Sequence, residues 1–300
     1  MEAGRRLTVT TPPLRRGALM LAGLVVIAAG TVGCRSDRRS PPATPPSAQP
    51  TAQVVLPLTG LHANGIAVDA AGNVFVSDYD NNRVVELPTG SGAQRDLPFT
   101  GLHHPVGVAV DAAGDVYVAD YDNNRVVELP SGSGAQRAFT DLPRPYGVAV
   151  DDEDNVYVTV NRDGADQVMQ LATGTGTRQV LPFTGLQEPW GVAVDAARTV
   201  YVADTDSNRV LKLPAGSTTQ EALPFTGLYH PGALTVDAAG NVYITDYDND
   251  RVLKLAAGSD TQQVLPFTGL ASPVGVAVDA AGDVYVADGL YPRVLKLPAR

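Results

Sequence analysis

The stretch DAAGDVYVADYDNNRVVELPSGSGAQR, residues 111–137, nearly repeats the stretch DAAGNVFVSDYDNNRVVELPTGSGAQR, residues 69–95. The repetition continues along the chain, because an aspartate that closes a short valine-rich run recurs in every unit. The six aspartates are Asp69, Asp111, Asp151, Asp195, Asp237 and Asp279, with spacings of 42, 40, 44, 42 and 42 residues. Six units of one kind therefore fill residues 54–300, and repeats of this length indicate stacked copies of one supersecondary unit.

Each unit reads as four short strands joined by tight turns. The run GVAVD is the first strand, VYVAD after an AAG turn is the second, RVVELP or RVLKLP is the third, and QVLPF is the fourth. Four antiparallel strands in about 40–45 residues are typical of a propeller blade. The first two strands are apolar at nearly every position, which indicates burial on both faces between stacked blades.

The two ends of the repeat region decide how the ring closes. The region begins with a lone fourth strand, QVVLPL at residues 53–58, and the last unit stops after its third strand, RVLKLP. We expect residues 53–58 to pair with Arg293–Leu297, which completes the last blade and removes an exposed sheet edge. The predicted fold is an all-β, six-bladed β-propeller over residues 53–300, closed by an N-terminal strand.

The consensus PFTGLxxPxGVAVDAAGxVYVADxxNxRVxKL resembles the NHL repeat. Six copies resemble the six-bladed NHL propeller that forms the extracytoplasmic sensor of a mycobacterial receptor-type Ser/Thr kinase. The resemblance covers residues 54–300 and includes no kinase domain, so it carries over no signalling by phosphorylation. It implies a rigid extracytoplasmic binding module.

Residues 1–34 have the pattern of a bacterial targeting signal. A basic head, with arginines at positions 5, 6, 15 and 16, precedes the uncharged run of residues 17–33. Cys34 is the only cysteine in the chain, and the run TVGC around it resembles the lipobox of bacterial lipoproteins. The pattern predicts signal removal and lipidation of Cys34; an uncleaved anchor or simple secretion is the alternative. Every one of these alternatives places the remainder of the chain outside the cytoplasm.

Residues 35–52 are rich in Pro and Ser and almost free of large apolar side chains. Such a segment buries too little surface to fold, and we expect a disordered tether that holds the propeller off the membrane. The predicted location is the extracytoplasmic face of a bacterial cell membrane, of actinobacterial type, to which a lipid anchor holds the protein.

The charge of the chain is unevenly distributed. Residues 1–53 hold seven arginines and two acids, a net charge of +5, whereas the remainder holds 15 basic and 30 acidic residues, a net charge of −15. A propeller this acidic has no basic surface with which to neutralise phosphates. We therefore expect no nucleic-acid partner.

Functional residues are best sought where the six copies differ. The residue before the glycine of the first strand, or at the matching position, varies among Asn64, Val106, Tyr146, Trp190, Gly232 and Val274. Two positions earlier stand His62, His104, Arg144, Glu188, His230 and Ser272. Both positions face the mouth of the central channel, and an aromatic pair ringed by charges is a common anchor for a ligand. The candidate ligand-binding residues here are Trp190, Tyr146, Asn64, Arg144, Glu188, His62, His104 and His230. The alternative is that Trp190 and Tyr146 only pack a loop against the next blade.

The third unit departs from the others in the loop after its second strand. Residues 159–168, TVNRDGADQV, replace ADYDNNRV and are two residues longer. Irregular loops on a regular scaffold often carry binding residues, so Asn161, Arg162 and Asp163 are further candidates for the mouth. Neutral drift in an exposed loop is the alternative.

The repeated loop DYDNN invites comparison with a calcium site. It lacks the glycine and the closing glutamate of an EF-hand loop, and an arginine follows instead. We expect its Asp and Asn side chains to bind loop amides, and the arginines to pair with neighbouring acids. These arginines are Arg83, Arg125, Arg209, Arg251 and Arg293.

An enzymatic alternative comes from a second resemblance. The peptidyl-hydroxyglycine lyases are similar six-bladed propellers, and their channel zinc is held by histidines at the variable position before the glycine. No histidine occupies that position in this sequence, although His62, His104 and His230 come from three blades and a convergence of the three stays open. The sequence therefore predicts a monomeric, non-enzymatic binding protein with no metal and no cofactor, whose partner is a cell-envelope protein, peptide or glycan. A metal-dependent lyase or hydrolase acting at the channel mouth is the alternative.

Overall fold

The fold is described from a computed structural model, which covers residues 52–162 and 165–299. The predicted signal segment, Cys34, the predicted tether up to residue 51 and Asp163 lie outside the described residues. In the described part of the chain, no helix is long and apolar enough to span a membrane.

The described residues form six sheets of four antiparallel strands, as the sequence predicts. The strands of blades 1 to 3 are β2 Ala63–Val68, β3 Val74–Asp78, β4 Arg83–Leu87, β5 Arg95–Asp96, β6 Pro105–Val110, β7 Val116–Asp120, β8 Arg125–Leu129, β9 Arg137–Phe139, β10 Pro145–Val150, β11 Asn155–Val160, β12 Gln167–Ala172 and β13 Thr177–Val180. The strands of blades 4 to 6 are β14 Pro189–Val194, β15 Val200–Asp204, β16 Arg209–Leu213, β17 Glu221–Ala222, β18 Pro231–Val236, β19 Val242–Asp246, β20 Arg251–Leu255, β21 Gln262–Val264, β22 Pro273–Val278, β23 Val284–Asp288, β24 Arg293–Leu297 and β1 Val54–Val55. Two short 3₁₀ helices, Tyr121–Asn123 and Tyr247–Asn249, lie between the second and third strands of blades 2 and 5.

The ring closes through β1, which forms the outer strand of blade 6. Val54 and Val55 pair with Lys296 and Leu295 in antiparallel register, and the Leu56 amide donates to the Val294 carbonyl at 2.9 Å. The predicted closure is confirmed, but the paired strand is shorter than residues 53–58. It ends early because Pro57 has no N–H and the Leu58 amide turns back to the Leu56 carbonyl.

A side-chain bridge repeats between neighbouring outer strands and includes the N-terminal one. The Gln94 amide group both accepts from the Thr59 N–H and donates to the Thr59 carbonyl, and Gln136 does the same at Thr100. Gln53 makes this pair of bonds with Thr268, at 2.8 and 2.9 Å. The N-terminal segment therefore occupies the position that the repeat pattern assigns to a sixth outer strand.

The hydrophobic core lies between blades. The second strand of nearly every blade is buried at all its positions, as in Val116–Asp120. One core cluster joins Phe75 and Val84 of blade 1 to Val108, Val116 and Val118 of blade 2, and the other clusters likewise join neighbouring blades. Burial on both faces of the strands is confirmed, and each blade is stabilised by both of its neighbours.

The inner strands come closest at the glycine of the first strand. A Cβ atom added to Gly107 would lie 2.5 Å from the Tyr146 carbonyl oxygen and 2.9 Å from the Val148 amide nitrogen. Real Cβ atoms do not approach backbone this closely, so glycine permits the tight packing of blades 2 and 3 around the axis. The glycine therefore serves the packing of the ring, whereas the variable residue before it faces the channel mouth.

The first aspartate, the first asparagine and the arginine of the DYDNN loops make the contacts that the sequence predicts. Asp120 is fully buried, and its carboxylate accepts from Arg125 Nε at 2.6 Å, from Asn123 Nδ2 at 2.9 Å and from the His103 amide at 2.7 Å. The arginine–aspartate pair recurs at Arg83, Arg209, Arg251 and Arg293. Asp69 and its equivalents accept amides of the first turn in the same repeated way.

Candidate ligand-binding site at the channel mouth

Four aromatic rings from four consecutive blades meet at one end of the central channel. Tyr146 of β10 and Trp190 of β14 stack with ring centroids 4.9 Å apart and planes 16° apart. Tyr121 meets Tyr146 edge-on at 6.2 Å, and Tyr247 meets Trp190 edge-on at 5.7 Å. Offset stacking and edge contacts are the favoured geometries of aromatic pairs, so the four rings form one continuous surface, which we call the aromatic ridge.

Trp190 contacts the inner strand of the neighbouring blade. Gly232 stands at the variable position of blade 5, and a Cβ atom there would lie 3.8 Å from Cε3 of the indole. The Trp190 carbonyl accepts from Thr159 Oγ1 at 2.7 Å, and that hydroxyl accepts from the Gly147 amide at 2.8 Å. Trp190 and Tyr146 are each half-buried, so they pack against the ring and also present one part to solvent.

Tyr146 reaches from blade 3 to blade 1. Burial raises the pKa of the Tyr146 hydroxyl, and the neighbouring Tyr247, Tyr121 and Tyr79 raise it further. A side-chain hydrogen bond with Asn64 opposes that rise. Because Asn64 belongs to blade 1, this bond links blades 3 and 1 at the mouth. The sequence-predicted residues Tyr146, Trp190 and Asn64 therefore lie together.

The three predicted histidines lie apart from one another. His62, His104 and His230 each place Nδ1 against an aspartate in the loop of their own blade, Asp80, Asp122 and Asp248. The distance from His104 Nδ1 to Asp122 Oδ2 is 2.6 Å. Within residues 52–162 and 165–299, no three-histidine cluster forms, so the convergence left open by the sequence is not found.

Arg144 and Glu188 occupy equivalent positions in blades 3 and 4. Both have left-handed backbone, with φ of 44° and 46°. Side chains of the preceding blades hold their amides, Asn124 at 2.9 Å and Asp166 at 2.8 Å. These bonds fix the backbone of Arg144 and Glu188, which lie two residues before Tyr146 and Trp190.

The long loop of blade 3 begins beside Arg144. The Asn161 amide donates to the Arg144 carbonyl at 3.4 Å, and the Arg162 amide donates to Asp166 Oδ1 at 3.0 Å. Arg162 is exposed, whereas the Asn161 oxygen Oδ1 is buried and has no hydrogen-bond partner among the described residues. The two candidates therefore differ in their access to a ligand.

Below the mouth, the channel is lined by mostly apolar side chains, while polar backbone atoms and Thr235 supply most of its accessible surface. A cavity of about 280 Å³ is lined by the last three residues of the six inner strands. The side chains are those of Ile, Ala, Val, Leu and Thr, beginning with Ile66, Ala67 and Val68 in blade 1. This lining offers no acid, base or metal ligand, so the chemistry of the site is confined to the mouth.

Sequence reasoning missed several residues of the mouth. Tyr121 and Tyr247 extend the aromatic ridge, and Tyr79 stacks on His104 with centroids 4.4 Å apart. These tyrosines belong to the repeated DYDNN or DYDND loops, and a residue that recurs is most simply assigned to structure. Their position in the sequence could have identified them. Each lies one residue after a buried aspartate, and that aspartate holds the loop next to the variable residues.

The NHL repeat family model matches residues 61–87, 102–129 and 186–213, which lie in blades 1, 2 and 4. The chain carries NHL repeats. Among curated proteins, the serine/threonine-protein kinase PknD of Mycobacterium tuberculosis, in strains CDC 1551 / Oshkosh and ATCC 25618 / H37Rv, is 52% identical over 56 residues. That alignment covers 17% of this chain and 8% of the kinase. The resemblance expected from the sequence is confirmed for the repeats and for this segment.

Solved structures with the same architecture as this NHL propeller have diverse descriptions. A gluconolactonase of Xanthomonas campestris gives a TM-score of 0.69 at 17% identity, covering 82% of this chain and 89% of that one. A nidogen/laminin complex gives 0.66 at 21%, covering 72% and 84%. A streptogramin B lyase gives 0.63 at 14%, covering 82% and 96%. At these identities the likeness shows the fold alone.

Proposed function

We propose that this NHL propeller is a membrane-tethered, extracytoplasmic binding protein that captures a cell-envelope protein, peptide or glycan at the channel mouth, without catalysing a reaction. The observation that carries the proposal is the aromatic ridge. Its central pair, Tyr146 and Trp190, comes from the one inner position where the six blades differ most. Rigid aromatic side chains held half-exposed are the usual anchors of protein and ligand interfaces.

Among the described residues, the candidate histidines of the mouth do not converge on one three-histidine site. His62, His104 and His230 are distributed over blades 1, 2 and 5, and each contacts an aspartate of its own blade; His230 Nε2 also lies 3.8 Å from Asp206 of blade 4. The side chains that line the channel below include no acid, base or histidine. The segment shared with the mycobacterial kinase supports a location outside the cytoplasm, because the resemblance that it carries is to an extracytoplasmic sensor.

An enzyme acting at the mouth is the second candidate, and the His–Asp pairs favour it. An imidazole oriented by a carboxylate is the arrangement of many general bases. If the full chain cleaved or eliminated the molecule that it captures, and His104→Asn stopped that reaction without weakening capture, the protein would be an enzyme and the binder proposal would be wrong.

Replacing both Tyr146 and Trp190 with alanine should reduce capture of envelope components by at least about 10-fold, because an aromatic anchor contributes 2 kcal/mol or more, about 30-fold, to a typical interface. The full chain and the double variant are immobilised, exposed to a solubilised cell-envelope extract, and compared by quantitative mass spectrometry and glycan analysis. Thermal unfolding is measured in parallel to show that the variant is folded.

Tyr291→Ala is the matched control for that experiment. Tyr291 is an exposed aromatic residue in the corresponding loop of blade 6, where it lies against Arg293 outside the aromatic ridge. Its removal should leave the captured set unchanged. Equal capture by the wild type and by the double variant would show that the aromatic ridge packs the ring and binds nothing.

Membrane attachment is tested separately at Cys34. Cys34→Ala should move the protein from the detergent-rich to the aqueous phase and abolish incorporation of labelled fatty acid, because stable anchoring of this type depends on acyl chains joined to that cysteine. Fractionation of the producing cells and metabolic labelling measure both effects. A Cys34→Ala protein that stays in the membrane would favour an uncleaved anchor instead.

A further inference from the structure

A second cluster of side chains at the mouth differs from the aromatic ridge, because its side chains are of the types that bind metal ions. His103 and His104 are consecutive residues whose imidazoles stack with centroids 4.6 Å apart. Both turn Nδ1 toward the same oxygen, Asp122 Oδ2, at 3.3 and 2.6 Å. These three ligand atoms lie within 4.8 Å of one another, and the described residues contain no other such group.

We propose that His103, His104 and Asp122 form a binding site for a zinc ion. Two imidazole nitrogens and one carboxylate oxygen are donors that zinc prefers, whereas calcium and magnesium require sites built of oxygen. A tetrahedral zinc ion with bonds of about 2.0–2.2 Å separates its ligand atoms by about 3.3 Å. The distance of 3.3 Å from His103 Nδ1 to Asp122 Oδ2 matches that value, whereas the 2.6 Å distance at His104 is shorter. Binding also requires the stacked imidazoles to rotate about their side-chain bonds, because an imidazole nitrogen binds a metal that lies in the plane of its own ring.

The backbone around the cluster is held in place before any ion binds. The His103 amide donates to the buried Asp120, and the His104 amide donates to Asn82 of the preceding blade, each at 2.7 Å. The Asp122 amide donates to the His103 carbonyl at 3.3 Å, which joins the 3₁₀ turn to the histidines. Tyr79 covers the other face of the His104 ring. Because the backbone is already fixed, metal binding costs conformational entropy only for the side chains.

Three protein ligands leave one position of a tetrahedral ion open. His103 and Asp122 are exposed and His104 is half-buried, so the fourth position faces solvent at the mouth. Sites of this kind take a water molecule or a donor atom of a bound molecule as their fourth ligand. The inference does not depend on the aromatic ridge being a ligand site.

Blade 5 is a natural copy of this cluster without the first histidine. Tyr229 stacks on His230 with centroids 4.7 Å apart, His230 Nδ1 contacts Asp248, and the amides of both residues make the same bonds as in blade 2. His230 has a φ of 48° where His104 has 51°. Tyrosine can therefore replace histidine at this position without disturbing the loop, and it removes one metal ligand.

The comparison of the two blades suggests two variants for one experiment: one should lose the zinc site of blade 2, and the other should create a zinc site in blade 5. The metal-stripped, untagged full chain is titrated with zinc chloride by isothermal titration calorimetry, and we expect saturation at one ion per chain. His103→Tyr should weaken binding by more than about 100-fold, since losing even a group that only orients a ligand costs about 10–100-fold. Tyr229→His should raise the stoichiometry to two, because it gives blade 5 the complete ligand set.

His62→Asn is the control, because His62 pairs with Asp80 in a loop that has no second histidine beside it. That variant should keep the wild-type affinity and stoichiometry, and calcium chloride should give no saturable heat with any of the proteins. The proposal is overturned if the wild type does not bind zinc, or if His103→Tyr binds it as tightly as the wild type. Tyr229→His with an unchanged stoichiometry would contradict the geometric argument on its own.

Discussion

Deleting residues 52–58 from the full chain should lower its melting temperature by about 10–20 °C. The deletion removes β1 from blade 6 and leaves β24 as an exposed edge strand. It also removes Leu58, which is 6% exposed in a core cluster shared by blades 1 and 6, and the partly buried Leu56. Burial of a leucine contributes about 2–5 kcal/mol, and each lost hydrogen bond costs about 1 kcal/mol. A loss of at least about 5 kcal/mol corresponds to that temperature shift in a domain of this size.

The measurement is thermal unfolding followed by circular dichroism and calorimetry. Deletion of residues 35–41 is the control, because it removes the same number of residues from the predicted tether and should leave the melting temperature unchanged. We also expect the 52–58 deletion to associate in solution through the bare edge of β24, which light scattering detects. A deletion variant that melts with the wild type would show that the ring is stable without its N-terminal strand.

The sequence predicts most of the fold because the information is local and repeated. Each strand is bounded by turn residues, and six copies of the same pattern remove the ambiguity that one copy would leave. The lone strand at the beginning and the missing strand at the end predict the closure. The predicted length of β1 was wrong. The strand is shorter because Pro57 has no N–H to donate to the sheet and the chain turns at Leu58.

The candidate site was predictable only where the copies differ. Tyr146 and Trp190 were found because no other blade has an aromatic residue at their position. Tyr121 and Tyr247 could not be separated from Tyr79 in the sequence, since all three occupy the same position in nearly identical loops. Their roles differ because their neighbours differ: Tyr121 meets Tyr146, Tyr247 meets Trp190, and Tyr79 covers His104. Identical residues thus make different contacts, depending on the variable residues next to them.

The same reasoning explains why His103 escaped notice. It lies one residue outside the two variable positions, and its imidazole gains a partner only because Asp122 and His104 also turn toward it. Blade 5 has the same backbone with a tyrosine at that position, so the difference between the two blades is one side chain. Sequence alone gives the identities of these residues but not the direction in which their rings point.

Replacing Gly107 with valine should destabilise the protein by at least about 3 kcal/mol, the upper end of the usual cost of overpacking. The new Cβ would press on the Tyr146 carbonyl oxygen and the Val148 amide nitrogen, which are backbone atoms of the inner strand of blade 3 and cannot rotate away. Blade 5 has Ala233 at the equivalent position, so the ring accommodates one methyl group there, and valine tests two further methyl groups. The expected decrease in melting temperature is about 6–12 °C.

Gly134→Val is the matched control, because Gly134 lies in the outer turn of the same blade and an added Cβ there meets no atom within 4 Å. That substitution should change the free energy of unfolding by no more than about 0.5 kcal/mol. Urea unfolding of both variants measures the difference directly. If Gly107→Val unfolds at the same urea concentration as Gly134→Val, the inner strands can move apart, and close approach at the axis is not what holds the six blades in register.

If instead Gly107→Val is destabilised as expected, it should also affect ligand capture. The new side chain would displace the Tyr146 carbonyl and thereby change the geometry of the aromatic ridge, so Gly107→Val should weaken capture while Gly134→Val does not.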